Sequence, residues 1–199
     1  EAVVLLAVLL LSGLLLGWLV SPKLLFILTL YLMINVAYNH LLKAIPILDV
    51  MCIALGFMLR VLAGTVGIGL PISKWLTITA TLLSLYIAIA KRYMELQLAL
   101  KHSTRAVLKK YQPVSLQRGM LLSGSAALAS YMGYIFYAHT YSYGFMLTLP
   151  FAGVALARFY WLTQQKSHSD DPVNVFVADR LSRINLYCFI ILSFMALTA

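Results

Sequence analysis

The sequence predicts an all-α membrane protein, a polytopic bundle of about seven transmembrane helices. Hydrophobic residues make up 62% of the 199 residues and charged residues only 11%, whereas soluble domains carry about 25% charged residues. The mean hydropathy is +0.92. Apolar stretches of about 20 residues, the length that crosses a bilayer as a helix, occur along the whole chain. The alternating pattern of a transmembrane barrel is absent from it.

Taken in order, the apolar stretches place the spans near 2–20, 23–41, 46–67, 74–93, 115–139, 143–163 and 181–198. The first contains GLLLG (Gly13 to Gly17), a small-xxx-small spacing that lets two helices approach closely. Packing within the chain is the favoured interpretation of this spacing, and a homo-oligomer stays open. The fifth contains SGSAALAS (123–130), which is also packing material. Cys52 and Cys188 lie inside apolar stretches without C-x-x-C spacing, so we expect packing residues rather than metal ligands or a disulfide.

The loops between these stretches alternate in charge. Short loops carry only Lys23 and Lys74, and Arg60 lies inside a span. The remaining twelve cations are in or beside the long loops: Lys43, Lys91, Arg92, Lys101, Arg105, Lys109, Lys110, Arg118, Arg158, Lys166, Arg180 and Arg183. This bias predicts that the long loops are cytoplasmic. The net charge of +9 therefore reflects topology and phosphate binding, and we expect no nucleic-acid partner.

The block IAKRYMEL (89–96) places charge at the end of an apolar run. On a continuing helix, Glu95 is at i+4 from Lys91 and at i+3 from Arg92, so the three side chains lie on neighbouring faces. One interpretation is a membrane-end anchor, with Tyr93 in the interfacial aromatic belt. The other is a polar site, which the long basic segment LQLALKHSTRAVLKKYQPVS (96–115) would cap.

Two more polar sets are expected on the same side. Lys43 and Asp49 flank a helix start, and Asp49 shares a helix face with Arg60, eleven residues later. Arg60 lies well inside an apolar run, where a charge is costly, so it either lines a polar cavity or belongs to an ion pair. Asp179 and Arg180 precede the last span.

A cavity with several cations and few carboxylates suits a substrate that carries phosphates. Carboxylates would be needed to hold Mg²⁺ against diphosphate oxygens. The six carboxylates of this chain are scattered along the sequence, so it offers too few metal ligands for such a site.

Four short motifs occur in order along the chain: MLRVLAG (58–64), PISKW (71–75), KRYMEL (91–96) and DRL (179–181). Together they resemble the UbiA superfamily of intramembrane prenyltransferases, and within it the decaprenyl-phosphate phosphoribosyltransferase branch. The resemblance implies nine helices around a central cavity, of which the seven spans correspond to helices three to nine. Residues 1–199 are then a single transmembrane domain that lacks the first two helices and the first Asp-rich motif. The main Mg²⁺ ligands are expected upstream of Glu1.

The resemblance also implies a reaction, the Mg²⁺-dependent transfer of a 5-phosphoribosyl group from phosphoribosyl diphosphate to a polyprenyl phosphate in a bacterial plasma membrane. Lys91 and Arg92 are expected to hold phosphates, and Glu95 to orient a cation or contribute to the metal or ribose site. The candidate substrate-binding residues are Lys43, Asp49, Arg60, Tyr93, Asp179 and Arg180.

Two rival functions remain. An ordinary UbiA-type prenyltransferase would attach a prenyl chain to an aromatic or other acceptor, but it predicts twin aspartates where this chain has KRYME. A non-enzymatic transporter should show an internal repeat and broken helices, and the chain shows no convincing repeat. A membrane scaffold would tolerate loss of Lys91 and Arg60 together.

Overall fold

The computed structural model describes residues 1–69, 73–99, 111–137, 143–165 and 171–198. These residues form helices and contain no strand, which confirms the predicted fold class. The helices are α1 (Ala2–Val20), α2 (Pro22–His40), α3 (Leu48–Gly67), α4 (Lys74–Ala99), α5 (Pro113–Tyr137), α6 (Tyr143–Met146), α7 (Thr148–Gln164), α8 (Pro172–Ala178) and α9 (Arg180–Thr198). A 3₁₀ turn at Leu42–Ala44 precedes α3.

Within the described residues, five helical stretches are long and apolar enough to cross a membrane: Pro22–His40, Leu48–Gly67, Pro113–Tyr137, Gly144–Gln164 and Arg180–Thr198. The shorter stretch Val4–Val20 in α1 is also apolar. Helix α4 lies outside this set because threonines and the Lys91–Arg92 pair dilute its apolar run. Each of the seven predicted spans is nevertheless largely helical in the part that the structure describes, and the protein is an integral membrane protein.

Successive long helices run in opposite directions and pack side by side, α1 on α2, α2 on α3, α3 on α4 and α4 on α5. Helices α5, α7 and α9 continue the bundle. Because the directions alternate, one end of the bundle collects the C-termini of α2, α4 and α7 together with the N-termini of α3, α5 and α9. We call this end, which carries Lys43, Asp49, Lys91–Glu95, Gln164 and Asp179–Arg183, the charged end.

Helix starts at both ends of the bundle follow local capping rules. The Ser21 hydroxyl accepts a hydrogen bond from the Lys23 N–H, and the Asp171 carboxylate accepts one from the Val173 N–H. A proline fills the next position in each case, where its missing N–H costs nothing. Asp171 is therefore the N-cap of the short helix α8.

Small residues bring the helices together, as predicted. A Cβ on Gly17 would lie 2.6 Å from Leu28 Cδ1, so Gly17 of GLLLG serves packing of α1 on α2, whereas Gly13 faces open space. On α5, Ser123, Gly124, Ala127 and Ser130 are buried. Both cysteines are free thiols, Cys52 buried and Cys188 half-buried.

Candidate active site

A cluster of four polar side chains joins α2, α3 and α4 at the charged end. The Arg92 Nη2 donates to Asp49 Oδ1 at 2.8 Å and to the Tyr38 hydroxyl oxygen at 3.1 Å. The Tyr38 hydroxyl donates to Asp49 Oδ1 at 3.0 Å. The Arg92 Nε forms an ion pair with Asp49 Oδ2, and its Nη1 donates to Glu95 Oε2. We call these four residues the Arg92 cluster.

At the centre of the Arg92 cluster the side chains of Asp49 and Arg92 are sealed from solvent, each 1% exposed, whereas that of Glu95 is 13% exposed. Burying single charges is costly unless partners neutralise them. Here one guanidinium serves two carboxylates, using the planar fork of donors that a lysine does not have. Arg92 is thus held by the protein itself at three of its nitrogens.

Helix geometry explains how the sequence builds this cluster. Asp49 lies in the first turn of α3, where a carboxylate is favoured by the helix dipole. Arg92 and Glu95 are one turn apart on α4, as their i, i+3 spacing predicted. Tyr38 faces them from the last turn of α2.

A second polar group surrounds Tyr93, on the other side of α4. The Gln117 Nε2 donates to the Tyr93 hydroxyl oxygen at 2.8 Å and to Gln164 Oε1 at 2.7 Å, and the Tyr93 hydroxyl donates to Gln164 Oε1 at 2.8 Å. The Gln164 Nε2 is buried and has no hydrogen-bond partner among the residues that the structure describes. This group ties α4, α5 and α7 together close to the Arg92 cluster.

Exposed cations lie around these two groups. Lys91 at the start of the KRYMEL block and Lys43 in the 3₁₀ turn are both exposed. Their ammonium groups are therefore open to a ligand, unlike the guanidinium of Arg92. Four further cations of the basic segment, at 101, 105, 109 and 110, lie outside the described residues.

Asp179 joins the ends of α7 and α9. The Arg158 Nε and Nη2 donate to the two Asp179 oxygens at 3.1 and 2.9 Å, and the N–H and hydroxyl of Ser182 donate to Oδ2. Donation by Arg158, with that of Ser182, holds the pKa of Asp179 well below its usual range. Arg180, the neighbouring candidate, is exposed. The Arg158 guanidinium also lies 4.2 Å from the Trp161 ring centroid.

Arg60 is separate from the Arg92 cluster. Its guanidinium donates to the Tyr31 hydroxyl and lies over the Tyr31 and Phe57 rings, 4.9 and 5.1 Å from their centroids. It lines a cavity of about 220 Å³ between α2 and α3, which also contacts Asn35 and Tyr38. Asp49 and Arg60 lie along one face of α3 as expected, but the ion-pair partner of Asp49 is Arg92.

A larger, apolar cavity of about 530 Å³ lies between α4, α5, α7 and α9. Leu83, Leu128 and Leu186 line its walls, Phe176 of α8 borders it, and Trp75 lines it near the start of α4, at the bundle end opposite the charged end. Its volume is in the range of cavities that bury a drug-sized ligand. The cavity can therefore hold part of a long apolar chain.

The described residues do not fit a Mg²⁺ site. No group of three or more His, Cys, Asp and Glu side chains comes together in the described ranges. Asp49 and Glu95 are engaged by Arg92, and Asp179 is engaged by Arg158 and Ser182. A divalent cation needs several oxygen ligands at once, and these carboxylates are already used.

Sequence reasoning did not identify Tyr38, Tyr111, Gln117, Gln164 and Arg158 as site residues. Tyr38 could have been found, because Tyr31, Asn35 and Tyr38 form a polar stripe at i, i+4 and i+7 on an otherwise apolar helix. Gln117 and Gln164 are hard to identify from the sequence, because an amide side chain near the end of a span is only a weak indication of a site. Tyr111 gave no indication, since its partner Ile47 is 64 residues away.

A bundle of apolar helices that encloses an apolar cavity and carries a sealed ionic cluster at one end defines an integral membrane protein with a polar site at its membrane boundary. The chain belongs to the UbiA prenyltransferase family, whose model matches residues 1–195.

Three relatives share the name decaprenyl-phosphate phosphoribosyltransferase. The protein from Mycobacterium tuberculosis is 26% identical over 172 residues, which is 84% of this chain and 56% of the relative. Those from Mycolicibacterium smegmatis and Corynebacterium glutamicum are 31% and 32% identical over 60% and 51% of this chain, and over 38% and 31% of their own lengths. The chain thus spans about half or less of the curated relatives it matches.

Proposed function

We propose that this chain is the core of a membrane transferase that moves a 5-phosphoribosyl group from phosphoribosyl diphosphate to a polyprenyl phosphate. The observation that carries the proposal is the chemistry of the KRYME block. The block has a buried arginine neutralised by carboxylates, and an exposed lysine next to it. An ordinary UbiA prenyltransferase is expected to carry twin aspartates at this helix end. The names of the relatives support the same substrates.

In this reaction an oxygen of the lipid phosphate attacks C1 of the ribose. The bond between C1 and the diphosphate oxygen breaks, and diphosphate leaves with the bonding electron pair. Such a displacement needs alignment of the two substrates and neutralisation of the leaving group rather than a protein nucleophile. A nucleophilic side chain is therefore not required of the charged end.

The exposure of each side chain at the charged end indicates its role in this reaction. Lys91, with Lys43 and Arg180, contacts phosphates of the donor because these cations are open at the charged end. Arg92, Asp49 and Glu95 fix the end of α4 and so fix where Lys91 lies. Tyr93, with its two glutamines, shapes the wall next to the donor, and Asp179 holds the start of α9. Arg60 supplies a cation to the α2–α3 cavity.

The lipid places part of its polyprenyl tail in the apolar cavity, whose lining offers few polar groups. The remainder extends into the bilayer, because the cavity is too small for a long chain. The charged end faces the cytoplasm of a bacterial plasma membrane, the side from which a soluble, charged donor reaches the site.

Dependence on a divalent metal is part of the proposal, with Mg²⁺ as the ion, since UbiA-family prenyltransferases generally use one. When bound, the ion would neutralise diphosphate charge. The described residues do not supply its ligand set, so the steps above use only the chain's own groups.

The test offers two donor–acceptor pairs to membranes from cells that express the gene encoding this chain. One pair is labelled phosphoribosyl diphosphate with a polyprenyl phosphate, and the other is labelled prenyl diphosphate with an aromatic acceptor. Labelled lipid from the first pair alone, abolished by EDTA and restored by Mg²⁺, is the expected result. Product from the second pair alone would move the function to an ordinary prenyltransferase.

A further inference from the structure

The backbone of Ile47 has φ 73° and ψ −54°, and it is the only non-glycine residue with positive φ among those the structure describes. These angles are those of a classic γ-turn, a rare and strained conformation. Strain is greatest for a β-branched residue such as isoleucine. The turn follows Pro46 and lies two residues before Asp49 of the Arg92 cluster.

A single long-range hydrogen bond holds this turn. The Ile47 N–H donates to the Tyr111 hydroxyl oxygen at 3.0 Å, while the Ile47 carbonyl accepts from the Met51 N–H at 2.8 Å in the first turn of α3. The Ile47 side chain is 68% exposed, so its own packing contributes little. Tyr111, by contrast, packs against the buried core that includes Val50, Tyr93 and Leu116.

The strained turn determines where α3 begins and therefore where Asp49 lies. Asp49 is buried and meets both Tyr38 and Arg92, so a small change at the start of α3 would break up the cluster.

We propose that Tyr111 is a positioning residue: by accepting the Ile47 N–H it maintains the strained turn that aligns Asp49 with Arg92, and through that alignment it supports donor binding at the charged end. The coupling to the donor rests on the proposed function. The alignment of Asp49 does not, because it follows from the contacts alone.

The variants separate the hydrogen bond from the strain. Tyr111→Phe keeps the ring and removes the hydroxyl, Ile47→Gly removes the strain because glycine adopts positive φ freely, and the double variant combines them. Tyr187→Phe, at a 62% exposed position on α9, is the matched control. All are made in a Cys188→Ser background, so that Cys52, buried one turn after Asp49, is the one thiol left.

The first readout is the rate at which a maleimide labels Cys52 in detergent, which needs no substrate. We expect Tyr111→Phe to accelerate labelling about tenfold, the size of one lost hydrogen bond, and Tyr187→Phe and Ile47→Gly to leave it slow. The double variant should label nearly as slowly as the parent. Unchanged labelling in Tyr111→Phe, or fast labelling that persists in the double variant, would overturn the proposal.

The second readout is steady-state transfer. We expect Tyr111→Phe to raise KM for phosphoribosyl diphosphate about tenfold, with kcat and the KM for the lipid nearly unchanged, and Ile47→Gly to restore KM in the double variant. An unchanged donor KM would overturn the coupling to donor binding. If the parent protein shows no transfer at all, the proposed function fails while the labelling result still decides the role of Tyr111.

Discussion

The Arg92 guanidinium is already engaged by other side chains of the same protein. It is held by Asp49, Glu95 and Tyr38, and the Arg92 side chain is 1% exposed. A phosphate would have to displace carboxylates to reach it. That Arg92 itself holds a phosphate stays a prediction, and the geometry favours Lys91 for that contact.

Replacing Arg92 by methionine should destabilise the fold, because the buried carboxylate of Asp49 would lose the guanidinium that neutralises it. We expect a loss of about 3–5 kcal/mol in the free energy of unfolding, the usual cost of removing one member of a buried ion cluster. Lys91→Met, at the neighbouring exposed position, should stay within about 0.5 kcal/mol of the parent. Unfolding in mixed detergent measures both, and equal stability of the two variants would contradict the structural role of Arg92.

Asp179 gives a pH dependence with a definite sign. Its folded pKa is depressed, chiefly by Arg158, so its stabilising contribution is complete above the unfolded value of about 4 and is lost as the pH falls through the folded pKa. The gap in unfolding temperature between the parent and Asp179→Asn should therefore be constant from pH 7 to 5 and narrow below about pH 4. A gap that widens on acidification would exclude this interpretation.

At the same scale, sequence spacing found contacts within one helix but not those between helices. The pairing of Arg92 with Glu95 follows from their i, i+3 spacing. Asp49 and Arg60 do share a helix face, yet Asp49 pairs with Arg92, 43 residues away. Periodicity along α3 contains no information about which side chain of α4 will face it.

At the scale of elements, α4 and α5 pack tightly where Trp75 of α4 meets Gly133 of α5. A Cβ on Gly133 would lie 2.5 Å from the Trp75 Cζ3 atom, and the Trp75 ring is stacked on Tyr137 at 5.9 Å between centroids. The indole is therefore clamped against α5 where it borders the apolar cavity. Only a residue without a side chain allows this contact.

Gly133→Ala should therefore cost about 1–3 kcal/mol of stability, the range for an overpacked core. The matched control is Gly64→Ala on α3, where an added Cβ would meet nothing within 4 Å and should leave stability unchanged or slightly higher. Unfolding in mixed detergent compares them. Equal effects at the two glycines would show that Trp75 moves freely.

Element positions were largely predictable, because runs of about 20 apolar residues define spans. Their ends were not: α4 continues to Ala99, beyond the expected end at 93, and α6 and α7 are separated at Leu147 within one predicted span. Helix α8 was not among the predicted elements. Its start depends on the cap formed by Asp171 and Pro172. It packs against α7 through Phe176 and Phe159, whose rings are 5.8 Å apart. Composition alone does not reveal such a short, locally capped helix.

For the whole molecule, Lys74 begins α4 and Lys91 lies in its C-terminal part, so the two lysines lie toward opposite ends of the bundle. The charge bias predicts that Lys91 faces the cytoplasm. In a background without cysteines, a cysteine at position 91 should react with an impermeant maleimide in inside-out vesicles, and a cysteine at position 74 in right-side-out vesicles. The reverse pattern would invert the topology and remove the donor's access to the charged end.

Global architecture followed from composition and charge, whereas the site required the folded chain. Seven apolar runs and one basic side were visible in the sequence, and the motifs indicated the family. The Tyr93 group with Gln117 and Gln164, and the bond between Ile47 and Tyr111, join residues far apart in the chain. Such hydrogen bonds between uncharged groups leave no periodic signal in the sequence.

The central claim, that the charged end binds the phosphoribosyl donor, is tested most directly by comparing two lysines of α4. Transfer from labelled phosphoribosyl diphosphate to a polyprenyl phosphate is measured with Mg²⁺ for the parent, Lys91→Ala and Lys74→Ala, both lysines being exposed. We expect Lys91→Ala to lose at least tenfold in kcat/KM, since a charged contact to a phosphate contributes about 1.5–3 kcal/mol, and Lys74→Ala to match the parent. Equal activity of all three proteins would contradict the assignment of the donor site to the charged end.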